Sequence, residues 1–243
     1  MVYLKSEKEI ELMRVAARLV SMTLAEVAKH IRPGVKTAEL DRVAEEFIRS
    51  NDAKPAFKGY GPKRNPFPAS LCISINNEII HGIPGERTLQ EGDVLSIDCG
   101  VVKDGYHGDH AYTFPVGEVS DEAMALIQIT HDSTFLAAAE AVHGQKTGDI
   151  GFAVQNHCEP QGYGVIRDFT GHGLGKHLHE DPSVPNYGKK GKGTRLRNGM
   201  VLAIEPMITT GTHKVKMLDD GWTIVTADGS LSAHFEHDVA VTE

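Results

Sequence analysis

Apolar residues recur at helical spacing at Ile10, Met13, Ala16, Ala17, Val20 and Leu24, which predicts an amphipathic helix. Ser6 followed by Glu9 is a capping-box pattern for its start, and Pro33-Gly34 ends the run. Thr37 is expected to cap a second helix with an apolar stripe of Leu40, Val43, Ala44, Phe47 and Ile48. Residues 54–70 are rich in Pro, Gly, Lys and aromatics and read as a loop. LCISI (71–75) and VLSIDCGVV (94–102) read as strands. A long helical pattern covers about 120–143, and a shorter one follows Thr147-Gly148. GVIRDF, MVLAIEPMI, GWTIVTAD and HFEHDVAVT are later strand candidates. No low-complexity linker, short-period repeat or domain boundary interrupts this order. The expectation is one α+β domain over residues 1–243.

Composition narrows the class. The formal charge of −8 argues against nucleic acid as the main ligand. Cys72, Cys99 and Cys158 are odd in number and far apart, so neither a disulfide framework nor a thiolate zinc site is expected. The start of the chain is charged throughout, and no apolar stretch is long enough to span a bilayer. A soluble cytoplasmic protein with reduced thiols is the expectation.

The chemistry lies in acids placed where strands call for apolar residues. Asp98 interrupts VLSIDCGVV, opposite the face shared by Leu95, Ile97, Cys99 and Val101. Glu205 interrupts MVLAIEPMI. Glu236 lies in HFEHDVAVT, with Phe235, His237, Val239 and Val241 on the opposite face. A carboxylate in a buried strand is costly unless it is neutralised, and Lys and Arg are sparse in these strands. Asp109 follows Asp98 at a distance suited to a returning hairpin. His172, His177 and His179 cluster in GHGLGKHLHEDP, where Gly171, Gly173 and Gly175 would let the backbone approach a bound group. Four carboxylates and an imidazole suit divalent Mn, Fe, Co or Zn without selecting among them. A mononuclear zinc site on His177 and His179 is the weaker alternative, because no third ligand lies at short spacing.

The segments CISINNEIIHGIP, LSIDCGVVKDGYHGDHAYTF, FTGHGLGKHLHEDP, NGMVLAIEPM and DGWTIVTADGSLSAHFEHDVAVT occur in an order that resembles the type I methionine aminopeptidases, in their compact bacterial form. The resemblance spans essentially the whole chain. It implies the pita-bread fold, in which a curved antiparallel sheet with internal pseudo-two-fold symmetry is covered by helices. It also implies removal of the initiator methionine from nascent proteins with a small second residue, by a hydroxide bridging two metal ions. Asp98, Asp109, His172, Glu205 and Glu236 would be the metal ligands. Asp109 and Glu236 would bridge, Asp98 would complete one ion, and His172 with Glu205 the other. His179 would contact the scissile carbonyl or the amide and stabilise the developing charge, His81 would help protonate the leaving nitrogen, and Glu205 could also accept the proton of the attacking water. Tyr60, Phe67, Cys72, Leu178 and Trp222 fall where similar enzymes line the methionine pocket.

Some residues depart from that pattern. His110 follows Asp109 where relatives carry a small residue. It would perturb the site, support it from behind, or point away as an ordinary strand residue, and the last is the favoured reading. Phe57 stands where many relatives have Cys, and the loop 61–68 is longer than in compact members, so the pocket dimensions are open. His177 is expected to face solvent. The resemblance further implies a monomer. The basic segment 188–197 is read as a solvated loop, with ribosomal contact on nascent chains as the lesser reading and no sequence-specific nucleic-acid binding expected. A non-catalytic relative would usually have lost ligands, and a prolyl-specific relative would usually carry an additional N-terminal domain.

Overall fold

The computed structural model describes residues 1–242. Helix α1 (Glu7–Ala28) starts on the expected capping box: the Ser6 hydroxyl accepts from Glu9 N–H, and the Glu9 carboxylate accepts from Ser6 N–H. Met13, Ala16, Val20, Leu24 and Val27 form its buried stripe. Helix α2 (Thr37–Ser50) is capped at Lys36, without a side-chain bond, so Thr37 is not the cap. The Thr37 hydroxyl instead donates to the Gly85 carbonyl and accepts from Gly85 N–H, tying the helix start to a distant loop. The later helical pattern resolves into α3 (Asp121–Ala139) and α4 (Thr147–Cys158).

Every strand pair is antiparallel among the described residues. Strand Val94–Lys103 pairs with Leu71–Ile75 on one side and runs the full length of Tyr106–Pro115. Its inward face packs with α1 and α2, where Leu19, Val20, Leu40 and Ile48 meet Ile73, Leu95, Ile97 and Cys99. In the second half, Leu126, Ile150 and Val154 of α3 and α4 pack on Val184, Leu202, Ile204 and Ile208. Each helix pair is joined through the same local sequence, Gly-Val-Lys-Thr at 34–37 and Gly-Gln-Lys-Thr at 144–147. Both glycines have positive φ, 92° at Gly34 and 89° at Gly144. The two halves thus repeat one helix-pair plan, the internal symmetry that the resemblance implies.

Two expected strands are broken. MVLAIEPMI forms Val201–Ile204 and Met207–Thr209, separated by Glu205-Pro206. HFEHDVAVT is likewise split: Ser232–His234 ends before Phe235-Glu236, and His237–Ala240 follows. Proline cannot donate to a ladder, and at these breaks the chain changes sheets. Val201–Ile204 pairs with His237–Ala240 and Thr170–Gly173, whereas Met207–Thr209 pairs with Ser232–His234 and Gly164–Val165. The single-face alternation expected around Glu236 therefore does not hold, and Phe235 and Glu236 are both buried.

Candidate metal centre and substrate pocket

The first two acids come from one hairpin. Asp98 pairs across the ladder with Ala111, and Asp109 with Gly100, so the two carboxyls are diagonal neighbours on one face. A Cβ at Gly100 would lie 2.5 Å from the Phe57 ring, so glycine leaves room for that aromatic beside the acids. The other two acids come from the strand breaks. Glu236 N–H donates to the Ala111 carbonyl at 3.0 Å, which fastens the second half to the hairpin. His172 pairs across from Ala203, two residues before Glu205. Its Nδ1 lies 2.9 Å from the Gly173 carbonyl. Donation from Nδ1 leaves the Nε2 lone pair facing the acids, 3.6 Å from Glu205 Oε1 and 3.9 Å from Asp109 Oδ2.

These groups lie in a largely buried cluster whose ion-pair contacts among the described residues are with His172 and His234. Burial raises Asp98 to about 7 and lifts Asp109, Glu205 and Glu236 well above the usual carboxylate range, with the other acids reinforcing the last three. Burial lowers His172 to about 4, so its imidazole is neutral. Asp98 Oδ1, Asp109 Oδ1 and Glu236 Oε1 are buried with no hydrogen-bond partner among the described residues. Ligating atoms of Asp109, His172 and Glu236 lie within 4.8 Å of one another. Orphaned carboxylate oxygens and a neutral imidazole form a donor set that fits a divalent cation.

One cavity of about 120 Å³ collects all the residues anticipated from the sequence. Asp98, Asp109, His172, Glu205 and Glu236 line one part, and His81 and His179 stand beside them. Phe67, Cys72 and Leu178 form a buried apolar wall against which Trp222 packs, and Tyr60 stands at the mouth. Burial raises the Cys72 thiol well above its ordinary value, so it is a neutral, soft wall group. Phe67 meets Trp222 edge-on, with ring centroids 5.2 Å apart. The loop 61–68 is tied down, because Trp222 Nε1 donates to the Asn65 carbonyl and Asn65 Nδ2 to the Asp220 carbonyl. His81 adopts φ of 60°, a left-handed conformation costly for a residue with a Cβ. Its ring stands edge-on to Trp222 and Phe169. Burial lowers His81 to about 4.

His110 follows its favoured reading, Gly171 and Gly173 have a different role from the one anticipated, and two residues were missed. His110 projects away from Asp109 toward α1, where its Nδ1 lies 3.2 Å from Ser21 Oγ and its ring stacks on His237. Gly171 and Gly173 serve strand packing: added Cβ atoms would lie 2.3 Å from the Ala203 carbonyl and 2.2 Å from the Asp181 carbonyl. Phe57, read only as a departure, is a pocket wall. His234 was missed. It is fully enclosed, with Nε2 3.8 Å from Glu205 Oε2, and its one sequence signal is a polar residue at a strand end. Asp238 was also missed, and it accepts the Asp109 N–H at 2.9 Å. His177 is exposed, as expected.

The model of metallopeptidase family M24 matches residues 11–243. The chain belongs to metallopeptidase family M24. A methionine aminopeptidase of Clostridium perfringens is 53% identical over 242 residues, which cover 99% of this chain and 95% of the relative. The solved methionine aminopeptidase of Rickettsia prowazekii superposes with a TM-score of 0.96 at 41% identity, covering 100% of this chain and 96% of that one. That of Thermotoga maritima gives 0.96 at 42% identity, with the same coverage. These full-length matches place the M24 chain among the bacterial methionine aminopeptidases by sequence and fold.

Proposed function

We propose that this M24 metallopeptidase removes the N-terminal methionine from peptides and nascent chains whose second residue is small. The observation that carries the reading is the junction of two environments in one cavity. A cluster of Asp98, Asp109, His172, Glu205 and Glu236 adjoins a soft apolar wall of Phe57, Phe67, Cys72, Leu178 and Trp222. An unbranched thioether chain suits such a wall.

Asp98, Asp109, His172, Glu205 and Glu236 would hold two divalent ions, with Asp109 and Glu236 shared between them. When bound, such ions supply Lewis acidity to the attacking water and the scissile carbonyl. Glu205 accepts the proton of that water. His179 donates a hydrogen bond to the scissile carbonyl as negative charge develops on its oxygen. His81, neutral in its buried setting, would relay to the leaving nitrogen the proton that Glu205 takes from the water. The apolar wall holds the methionine side chain and excludes water from it. A narrow space beyond the scissile bond favours small second residues.

The chain acts as one catalytic unit, a cytoplasmic monomer. In support, all three cysteines are free and buried, and no helix among the described residues is long and apolar enough to cross a membrane. Lys189, Lys190 and Lys192 are exposed on the basic segment 188–197, which suits contact with ribosomal RNA. Their joint replacement by alanine is expected to weaken co-sedimentation with ribosomes. Unchanged sedimentation rejects that contact.

The test of the activity is mass spectrometry of Met-Ala-Ser, Met-Lys-Ser, Leu-Ala-Ser and Leu-Pro-Ser peptides, incubated with chelated and then metal-restored protein. Metal-dependent loss of Met from Met-Ala-Ser alone supports the proposal. Cleavage of Leu-Pro-Ser instead assigns a prolyl-specific activity, and no cleavage with Mn, Fe, Co or Zn rejects a peptidase role.

A further inference from the structure

Tyr60 does more than border the pocket. Its Oη lies 2.6 Å from Nδ1 of His179, and the two rings are 5.3 Å apart. This is the one hydrogen bond to the His179 ring among the described residues. We propose that Tyr60 is a positioning residue whose hydroxyl donates to His179 Nδ1 and so holds the tautomer with its proton on Nε2. This proposal rests on the reading of His179 as the group that meets the scissile carbonyl.

The argument is one of proton inventory. A neutral imidazole carries one N–H, and a phenol carries one O–H. If Nδ1 held the ring proton, it would donate to the phenol and Nε2 would present a bare lone pair. A lone pair repels the negative charge that develops on a carbonyl oxygen during hydrolysis. With the phenol donating, Nδ1 is occupied and Nε2–H is free to donate into the cavity. Burial and the charge of Asp109 raise the Tyr60 phenol, which keeps it protonated and able to donate.

The surrounding loop holds the phenol where this bond requires it. Tyr60 N–H donates to the Phe57 carbonyl at 2.9 Å, and Phe67 N–H donates to the Tyr60 carbonyl at 2.8 Å. Gly61 follows at φ of 93°, and a Cβ there would stand 2.4 Å from the Trp222 ring. The same short loop therefore seats Trp222 on the pocket wall and aims the Tyr60 hydroxyl at His179. The side chain of Tyr60 is partly exposed, so Tyr60→Phe removes the hydroxyl without opening the core.

The test uses full-length zinc-loaded protein with ¹⁵N-labelled histidine, with the His179 signals assigned by their loss in His179→Gln. Two-bond ¹H–¹⁵N correlations report which ring nitrogen carries the proton. The wild type is expected to show His179 protonated on Nε2, and Tyr60→Phe to show a mixture of tautomers. On a Met-Ala-Ser peptide, Tyr60→Phe is expected to lower kcat about three- to tenfold, the worth of one neutral hydrogen bond, with KM little changed. A wild-type His179 protonated on Nδ1, or an unchanged tautomer in Tyr60→Phe, overturns the proposal. So does a raised KM with unaltered kcat, which marks a wall residue. A wild type that cleaves no methionyl peptide while showing the expected tautomer rejects the function instead and leaves the hydrogen-bond assignment standing.

Discussion

The two halves of this protein bring acids to one site by different means. In the first half, Asp98 and Asp109 sit within an unbroken hairpin of two ten-residue strands, each with a cross-strand partner. In the second half, Glu205 and Glu236 sit at interruptions, where the chain leaves one sheet for another. Both halves share a helix pair joined through a Gly-x-Lys-Thr turn. A regular ladder places side chains by alternation alone, whereas a break places them through the partners that the chain takes next. The hairpin thus makes a rigid platform, and the two glutamates close over it, with Glu236 fastened to Ala111.

The comparison is tested most severely at the acids themselves. Asp109→Asn and Glu236→Gln are each expected to reduce kcat on a Met-Ala-Ser peptide by about a thousandfold or more, because each would be shared between two ions. Asp98→Asn, serving one ion, is expected to cost about a hundredfold. Steady-state kinetics with saturating metal decide this, and equal losses at Asp98 and Asp109 would break the division between shared and unshared ligands.

Proton competition gives the next effect. In the metal-free protein Asp98 is raised to about 7, and Asp109, Glu205 and Glu236 are raised as well. A raised carboxyl holds its proton until the pH passes its folded-state value, so metal must displace protons at neutral pH. Metal affinity is therefore expected to fall as the pH drops below about 7 and to rise above it, with protons released on binding. His172, lowered to about 4, adds no competition in that range. Calorimetric titration in two buffers of different ionisation enthalpy measures the released protons. Binding without proton release would contradict the raised carboxyl groups.

Smaller effects are expected at the pocket wall. Phe57 stands over Gly100 on the hairpin and Trp222 is anchored by the loop 61–68. Alanine at either position is expected to lower kcat/KM for methionyl peptides about ten- to a hundredfold, consistent with about 1–3 kcal/mol of side-chain discrimination. Phe57→Ala should also admit bulkier first residues, which competition between methionyl and phenylalanyl peptides would reveal. The smallest effect tests the symmetry of the helix starts. Thr37→Ala and Thr147→Ala each remove a hydroxyl that accepts a backbone N–H, from Gly85 and Thr194 respectively. Each is expected to cost about 1 kcal/mol in urea denaturation. A loss confined to one threonine would show that the two turns share a sequence but carry different loads.

Much of the site was legible because burial makes acids conspicuous. Asp98 and Asp109 could be placed on one hairpin from strand alternation and their separation in the chain. Glu205 and Glu236 were recognisable as misplaced acids, yet both segments read as continuous strands. Their interruption depends on which sheet each flank joins, and that is a long-range matter. Thr37 had the residue type of a helix cap, but a loop nearly fifty positions away claimed its hydroxyl. The Gly-x-Lys-Thr repeat escaped notice because its copies lie in opposite halves of the chain.

Local sequence determined the helices, the hairpin and the inventory of candidate metal-binding side chains, since capping, periodicity and turn residues act over a few positions. Tertiary structure alone decided which groups meet and in what state. It turned His110 away, set His234 behind Glu205, placed Phe57 in the wall, and brought Tyr60 within a hydrogen bond of His179. Desolvation and mutual repulsion then lifted the acids out of their usual range. Those energies depend on distance through space and exclusion of water, and neither is a property of neighbours along the chain.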